Sequence, residues 1–128
     1  MMPVSHFEIH CLKPEETANF YSDIFGWKIT KWDGPFDYWL VSTKSANIGI
    51  DGAIVQRRGP APDEGASVNA YVCTIAVDSL DGALAKVTAR GGKLALEKME
   101  VPGVGWLAYV KDPEGNLFGM LEPVPPAS

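Results

Sequence analysis

The stretch FYSDIFGW, residues 20–27, closes a segment that has the pattern of an amphipathic helix ending at a glycine. Pro14 suits the first helical turn, where its missing N–H is not needed, and Gly26 suits the left-handed conformation that ends a helix. The apolar residues between them recur at helical spacing: Ala18, Tyr21, Ile24 and Phe25. The sequence therefore predicts a helix over residues 14–25.

The same order of elements occurs twice along the chain. The pattern before and after the first helix predicts strands at 4–12, 27–31, 38–43 and 48–55. The second half predicts a strand at 70–77, a helix at 79–90 and strands at 93–99, 106–111 and 117–122. Adding 66 to the residue number carries Gly26 onto Gly92, and adding 67 carries Trp39 onto Trp106. We interpret the chain as a duplicated β-α-β-β-β unit, which is an α+β fold.

The 128 residues are expected to form a single domain, 1–128, built from these two units. Unit one is predicted over residues 4–56 and unit two over residues 69–123. A connector rich in proline and glycine joins them at 57–68, and PVPPAS is a short tail.

The composition excludes several classes of protein. The apolar content of 46% and the charged content of 21% are those of an ordinary globular protein. The net charge of −5 provides no basic surface, so no nucleic-acid partner is expected. No apolar run is long enough to span a membrane, and the two cysteines do not form a disulfide framework. We expect a cytoplasmic protein.

The first strand has one apolar and one polar side. Its apolar side consists of Phe7, Ile9 and Cys11, and its polar side consists of His6, Glu8 and His10. The two histidines are four residues apart, roughly 13 Å along a strand, so they cannot bind the same ion. Three interpretations stay open: a polar face in contact with solvent, a site where these residues bind a ligand or transfer protons, or a relocated metal site.

Two motifs at this separation, FYSDIFGW and DPEGNLFG (residues 112–119), resemble the vicinal oxygen chelate superfamily. That superfamily includes glyoxalase I, extradiol dioxygenases, fosfomycin-resistance enzymes and bleomycin-binding proteins. The resemblance implies a glyoxalase-like fold, in which mixed sheets curl around a cavity between the two units. It also implies binding of a small molecule in that cavity and, frequently, a homodimer, which we expect here.

The resemblance also implies where a metal would bind. In metal-dependent members the ligand positions correspond to His6, a position near Gly52, Val72 and Gly119. Glycine and valine have no side-chain donor, and Asp51, one residue from Gly52, should point to the opposite face. A catalytic divalent ion generally has at least three protein ligands. We therefore predict no cofactor and the loss of the usual metal; a divalent metal, if present, would use His6.

Several other residues are candidates for ligand binding. The matching positions of Trp39 and Trp106 suggest either flat contact surfaces for a ligand or plugs of the core. Arg57 and Arg58 in the connector are either solvated or contacts for an anion. The full set of predicted ligand-binding residues is His6, His10, Trp39, Thr74, Trp106 and Gly119.

Three hypotheses about function follow from the resemblance. In the first, the protein binds a small organic molecule without a metal, as bleomycin-binding proteins do. In the second, it is a glyoxalase-like lyase or a dioxygenase-type enzyme, with a non-standard metal or with His6, Glu8 or His10 as acid–base groups. In the third, it is a partner-binding domain whose cavity is vestigial.

Overall fold

The computed structural model describes residues 1–125, which form two β-α-β-β-β units and confirm the predicted α+β fold class. The first unit contains β1 (Val4–Cys11), α1 (Pro14–Phe25), β2 (Lys28–Lys31), β3 (Tyr38–Ser42) and β4 (Gly52–Gln56). The second contains β5 (Val72–Ala76), α2 (Leu80–Ala89), β6 (Lys93–Val101), β7 (Gly105–Lys111) and β8 (Leu117–Pro123).

The chain divides into two compact groups of residues. We call His6–Tyr71 the N-terminal unit, and Met1–Ser5 together with Val72 onward the C-terminal unit. The strand order is β2-β3-β4-β1 in the first and β6-β7-β8-β5 in the second. The pairs β1–β4 and β5–β8 are parallel, and the other neighbours within each unit are antiparallel.

The registers of the two parallel pairs are identical after a shift of 66 residues. Ile9 lies opposite Ile54, and Ile75 lies opposite Met120. One row away, Glu8 lies opposite Ala53, and Thr74 lies opposite Gly119. Gly119 therefore corresponds to Ala53, and the expected equivalence of Gly119 with Gly52 does not hold.

One face of each sheet packs against the helix of its own unit. The core of the N-terminal unit consists of Phe7, Ile9, Ala18, Val41 and Ile54. The core of the C-terminal unit consists of Val77, Leu80, Ala108, Val110 and Met120. We call the opposite sheet face of each unit its distal face. Because strand side chains alternate, residues on the distal face take no part in packing the helix.

The two helices begin differently and both end near glycine. α1 has Pro14 in its first turn and no side-chain cap, whereas Ser79 Oγ accepts a hydrogen bond from Gly82 N of α2 at 3.1 Å. Gly26 follows α1 at φ 72°, and its N–H donates to Ser22 O at 2.9 Å. These bonds satisfy backbone groups that the helix ends leave without partners.

The fourth predicted strand, 48–55, is shorter in the structure because its first residues follow a turn and lie outside the sheet. Ala46 and Asn47 have φ values of 51° and 65°, which reverse the chain. The carboxylate of Asp51 then accepts hydrogen bonds from Thr43 N at 3.0 Å and Lys44 N at 3.3 Å. These bonds hold the segment out of the sheet until Gly52 starts β4.

The DPEGN segment is a turn held by its aspartate. Asp112 Oδ1 accepts from Glu114 N at 2.9 Å and from Asn116 N at 3.0 Å, while Asn116 Nδ2 donates to Oδ2. These bonds to Asn116 lower the pKa of the exposed Asp112 carboxyl.

Residues 126–128 of the predicted tail lie outside the described residues. Neither helix of the described chain has the length and apolar character needed to cross a membrane.

Candidate functional site

The distal face of the N-terminal unit gathers polar groups in two adjacent rows. One row runs from Glu8 on β1 through Ala53 to Leu40. The next runs from His10 through Val55 to Tyr38. His6, Glu8 and His10 therefore share a face, as the alternation of β1 predicted.

Glu8 is the most unusual residue of this face, because it is a carboxylate that is only 5% exposed. Its Oε1 lies 3.2 Å from His10 Nε2, and the imidazole of His10 retains about a quarter of its exposure (27%). A buried carboxylate is costly unless it is paired or hydrogen-bonded. The sequence located Glu8 on this face, but alternation alone carries no information on how deeply it is buried.

Two neighbours of Glu8 are held in neutral forms. Burial lowers the pKa of His6, and the negative charges of Glu8 and Asp51 offset only part of that effect. Burial raises the pKa of Tyr38, Glu8 raises it further, and Arg58 partly opposes both. At neutral pH the face therefore presents a neutral imidazole and a neutral phenol, which can both donate and accept hydrogen bonds.

The two adjacent arginines of the connector have different surroundings. Arg57 Nη2 donates to the carbonyl oxygen of His10 at 2.6 Å, and Arg57 N donates to Cys11 O at 2.7 Å. Arg57 thus fastens the start of the connector to the end of β1. Arg58 is exposed, and its charge acts on Tyr38.

An aromatic cluster adjoins Tyr38 at the turn between β2 and β3. The rings of Trp32, Phe36 and Tyr38 have centroids 5.5 to 6.2 Å apart, and Trp32 stacks on Tyr38 with an interplanar angle of 22°. We call these three residues the ring cluster. The ring cluster was not predicted from the sequence, although the density of aromatic residues in WDGPFDYW, residues 32–39, signals it.

The two tryptophans predicted to contact a ligand lie on the helix-facing sides of their sheets. Trp39 lies opposite Ile54 and packs against the N-terminal core. Trp106 lies opposite Glu122, and Lys98 Nζ is 5.1 Å from the centre of its ring. Lys98 also bonds Asp81, in the first turn of α2, at 3.1 Å. Neither tryptophan shares a face with the polar rows, so the structure favours their interpretation as packing residues.

The distal face of the C-terminal unit has a different chemistry. Gly119 lies between Thr74 and Tyr109 in one row. A Cβ at Gly119 would be 2.8 Å from Thr74 Oγ1 and 3.2 Å from Tyr109 Cε1, so the glycine allows these side chains to approach closely. Thr74 is 3% exposed.

The residues at the metal positions do not fit the family's metal. With the observed register the four positions are His6, Ala53, Val72 and Gly119. Only the histidine has a donor atom, and replacing Gly52 by Ala53 in this set adds none. Within residues 1–125 there is no group of three or more His, Cys, Asp or Glu placed to hold an ion.

This fold and these motifs place the chain in a known family. The model of the Glyoxalase/Bleomycin resistance protein/Dioxygenase superfamily matches residues 4–120. The chain therefore belongs to that superfamily, as its motifs predicted.

Individual relatives agree with this assignment. The chain is 42% identical over 50 residues to "Putative glyoxylase CFP32" of Mycobacterium bovis, a match that spans 39% of this chain and 19% of CFP32. It is 27% identical over 113 residues to "Anthracycline biosynthesis protein DnrV" of Streptomyces peucetius, which spans 81% of this chain and 41% of DnrV. The chain thus covers less than half the length of both relatives.

Methylmalonyl-CoA epimerase from Mycobacterium tuberculosis has a similar fold, with a TM-score of 0.67 at 14% identity over 95% of this chain and 88% of the epimerase.

Proposed function

We propose that the distal face of the N-terminal unit binds a small organic molecule without the metal used elsewhere in the family. The observation that carries the proposal is the buried carboxylate of Glu8, paired with His10 on a sheet face that helix packing does not require. Polar groups held in a largely buried setting are typical of ligand sites, where a few of them orient the bound molecule.

The neighbouring groups support the same proposal. His6 and Tyr38 are neutral at neutral pH because burial shifts their pKa values in opposite directions. They can therefore bond an uncharged polar ligand group without first losing or gaining a proton. A relative named for anthracycline biosynthesis also supports an organic molecule as the ligand class.

A glyoxalase-like proton-transfer enzyme is the second candidate, and the contact between His10 and Glu8 favours it. A carboxylate 3.2 Å from an imidazole nitrogen can orient the ring for proton transfer. His6, whose pKa is lowered, would be the proton acceptor in such a reaction. The same residues would then act without a metal.

A thermal-shift screen of small organic molecules tests the binding proposal. A ligand that binds only the native state raises the melting temperature. For any hit, Glu8→Gln should weaken binding about 10-fold or more, because hydrogen bonds to a charged group contribute about 1.5–3 kcal/mol. Glu97→Gln, which changes an exposed carboxylate on β6, is the matched control and should leave affinity unchanged. Equal affinity in wild type and Glu8→Gln would refute the proposed site.

The enzyme candidate needs a separate readout. Purified, metal-free protein would be assayed on the adduct of a 2-oxoaldehyde with a thiol, and His6→Gln and His10→Gln would be compared with the wild type. Turnover that both substitutions abolish would favour the enzyme over the binding protein. Absence of turnover, together with ligand binding sensitive to Glu8, would leave the binding proposal in place.

A further inference from the structure

We propose that the ligand of this site is a flat aromatic anion, whose ring lies against the ring cluster of Trp32, Phe36 and Tyr38 and whose negative charge lies against Arg58. The inference rests on the proposed function of the N-terminal distal face, and it adds the chemical class of the ligand.

The ring cluster offers a surface suited to a flat molecule. Trp32 and Tyr38 are each half-buried, and Phe36 is 36% exposed, so the cluster is accessible from one side. Tyr38 belongs to both the ring cluster and the polar row of His10, so a molecule that bonds the polar row lies within reach of the rings. Aromatic rings favour offset-stacked and edge contacts with other aromatic rings over contacts with saturated ones.

The cluster is held in place by its own turn. A Cβ at Gly34 would overlap the six-membered ring of Trp32, so the indole lies directly on the backbone of this glycine. Trp32 N also donates to Tyr38 O at 2.8 Å and closes the loop. The turn therefore fixes the indole before any ligand arrives, which reduces the entropy lost on binding.

Charges of both signs lie near the ring cluster, because Asp33 and Asp37 belong to its turn while the positive charge of Arg58 acts on Tyr38. Arg57 is committed to the carbonyl of His10, and Lys31 lies 3.8 Å from Asp37. Glu8 is engaged by His10. Among the residues that the structure describes, Arg58 has no hydrogen bond or ion pair, and its guanidinium acts on Tyr38. A planar guanidinium of this kind binds carboxylates and stacks on aromatic faces.

Three probes separate ring shape from charge. Naphthalene-2-carboxylate is flat and anionic, decahydronaphthalene-2-carboxylate has the same charge but is not flat, and 2-naphthamide is flat but neutral. Calorimetric titration should show the flat anion binding about 10-fold more tightly than each of the other two, because the saturated anion lacks the stacking contact and the amide lacks the negative charge. Equal affinity for the flat and saturated anions, or no binding of the flat anion at millimolar concentration, would overturn the inference.

Substitutions then assign each part of the ligand to its contact. Trp32→Leu should weaken naphthalene-2-carboxylate about 10-fold, and Trp32→Phe should recover part of the loss. Arg58→Gln should weaken binding of the carboxylate but not of 2-naphthamide, whereas Arg90→Gln, at an exposed arginine after α2, should change neither affinity.

Gly34→Ala should also weaken binding of naphthalene-2-carboxylate. Its Cβ would displace the indole of Trp32, although all three residues of the ring cluster are still present. Far-ultraviolet circular dichroism and the melting temperature of each variant report whether it is folded. Unchanged affinity in folded Trp32→Leu and Arg58→Gln would refute the assignment.

Glu8→Gln distinguishes failure of this inference from failure of the site. If screening hits depend on Glu8 but naphthalene-2-carboxylate does not bind, the site stands and the ligand class is wrong. If naphthalene-2-carboxylate depends on Trp32 and Arg58 but not on Glu8, the ring cluster binds ligand and the proposed polar site is wrong.

Discussion

The distal faces of the two units have the same backbone register and different chemistry. The shift of 66 residues pairs Glu8 with Thr74, His10 with Ala76 and Ala53 with Gly119. The first unit thus has titratable groups where the second has small or uncharged side chains. By contrast, the core residues on the helix-facing side are apolar in both units, with Ile9 matching Ile75 and Ile54 matching Met120.

This difference shows that the fold and the candidate site are encoded in alternate residues of the same strands. The helix-facing residues must exclude water and fill the core, which restricts them to apolar side chains. The distal residues contribute little to that packing, so the ladder of backbone hydrogen bonds accepts almost any side chain there. Chemistry can therefore change on one face of a unit while its topology stays the same.

The largest expected effect comes from adding a methyl group to two glycines on different faces. A Cβ at Gly52 would be 2.5 Å from the backbone oxygen of Phe7, which cannot move without disturbing the parallel pair β1–β4. A Cβ at Gly119 meets only side chains, the nearest being Thr74 Oγ1 at 2.8 Å. We expect Gly52→Ala to lower the free energy of unfolding by about 3 kcal/mol and Gly119→Ala by about 1 kcal/mol, measured by urea denaturation.

A double substitution checks the cause of the smaller effect. In a Thr74→Ala background the clash with Oγ1 is gone, so Gly119→Ala should cost less than it does in the wild type. The same cost in both backgrounds, or a greater cost for Gly119→Ala than for Gly52→Ala, would contradict the assignment of the two glycines to different faces.

The helix starts of the two units give the next largest effect. Ser79→Ala removes the bond to Gly82 N and should lower the free energy of unfolding by about 1 kcal/mol. The equivalent residue of α1, Lys13, provides no cap. Lys13→Ser should therefore increase the free energy of unfolding by an amount between a few tenths of a kcal/mol and about 1 kcal/mol. The Lys13–Glu16 pair lost in that variant is exposed, with 4.0 Å between its charged atoms, and contributes little. Chemical denaturation of both variants measures the effect, and destabilisation by Lys13→Ser would show that α1 already has an adequate start.

The helices could be predicted closely because their start and stop signals are local. Pro14 and Gly26 act through their own backbone geometry, and Ser79 acts through its hydroxyl on a backbone N–H three residues later. The structure places α1 at Pro14–Phe25 as predicted. The strand at 48–55 was predicted too long because its apolar residues have the right alternation. The turn at Ala46 and Asn47 depends on bonds that Asp51 makes to residues seven and eight positions earlier.

The candidate site was harder to predict than the fold. Alternation placed His6, Glu8 and His10 on one face because that inference needs only neighbours in sequence. The placement of Trp39 and Gly52 needed the register between strands, and a repeat with low identity allowed shifts of both 66 and 67 residues. Only the paired strands decide between them, since a one-residue error moves every side chain to the other face.

A smaller effect concerns pH and distinguishes His6 from its counterpart Val72. The folded state lowers the pKa of His6 below its ordinary value of 6.5, so below that pH the unfolded chain takes up a proton that the folded chain does not. The free energy of unfolding should therefore fall as the pH drops from 6.5 towards the pKa of His6 in the folded state. Above pH 6.5 His6 is neutral in both states and causes no such loss. His6→Val should show a smaller fall between pH 7.5 and pH 5.5 in the urea midpoint. All other residues are the same in the two proteins, so the comparison isolates His6. An undiminished fall in His6→Val would contradict the buried, neutral state of His6.

The smallest expected effect is that of a chelator, for which we expect no change. Under the observed register neither unit supplies more than one donor to the family's metal positions: His6 and Ala53 come from the first, and Val72 and Gly119 from the second. A single imidazole does not hold a divalent ion against competing buffer and water, because catalytic sites generally need three protein ligands. Protein purified without chelators should carry far less than one ion per chain by elemental analysis, and dialysis against EDTA should leave its melting temperature unchanged. A stoichiometric ion whose removal lowers the melting temperature, and which His6→Val no longer binds, would show that another residue completes the site; the proposed independence from metal would then be wrong, and the difference between the two distal faces would include a metal centre.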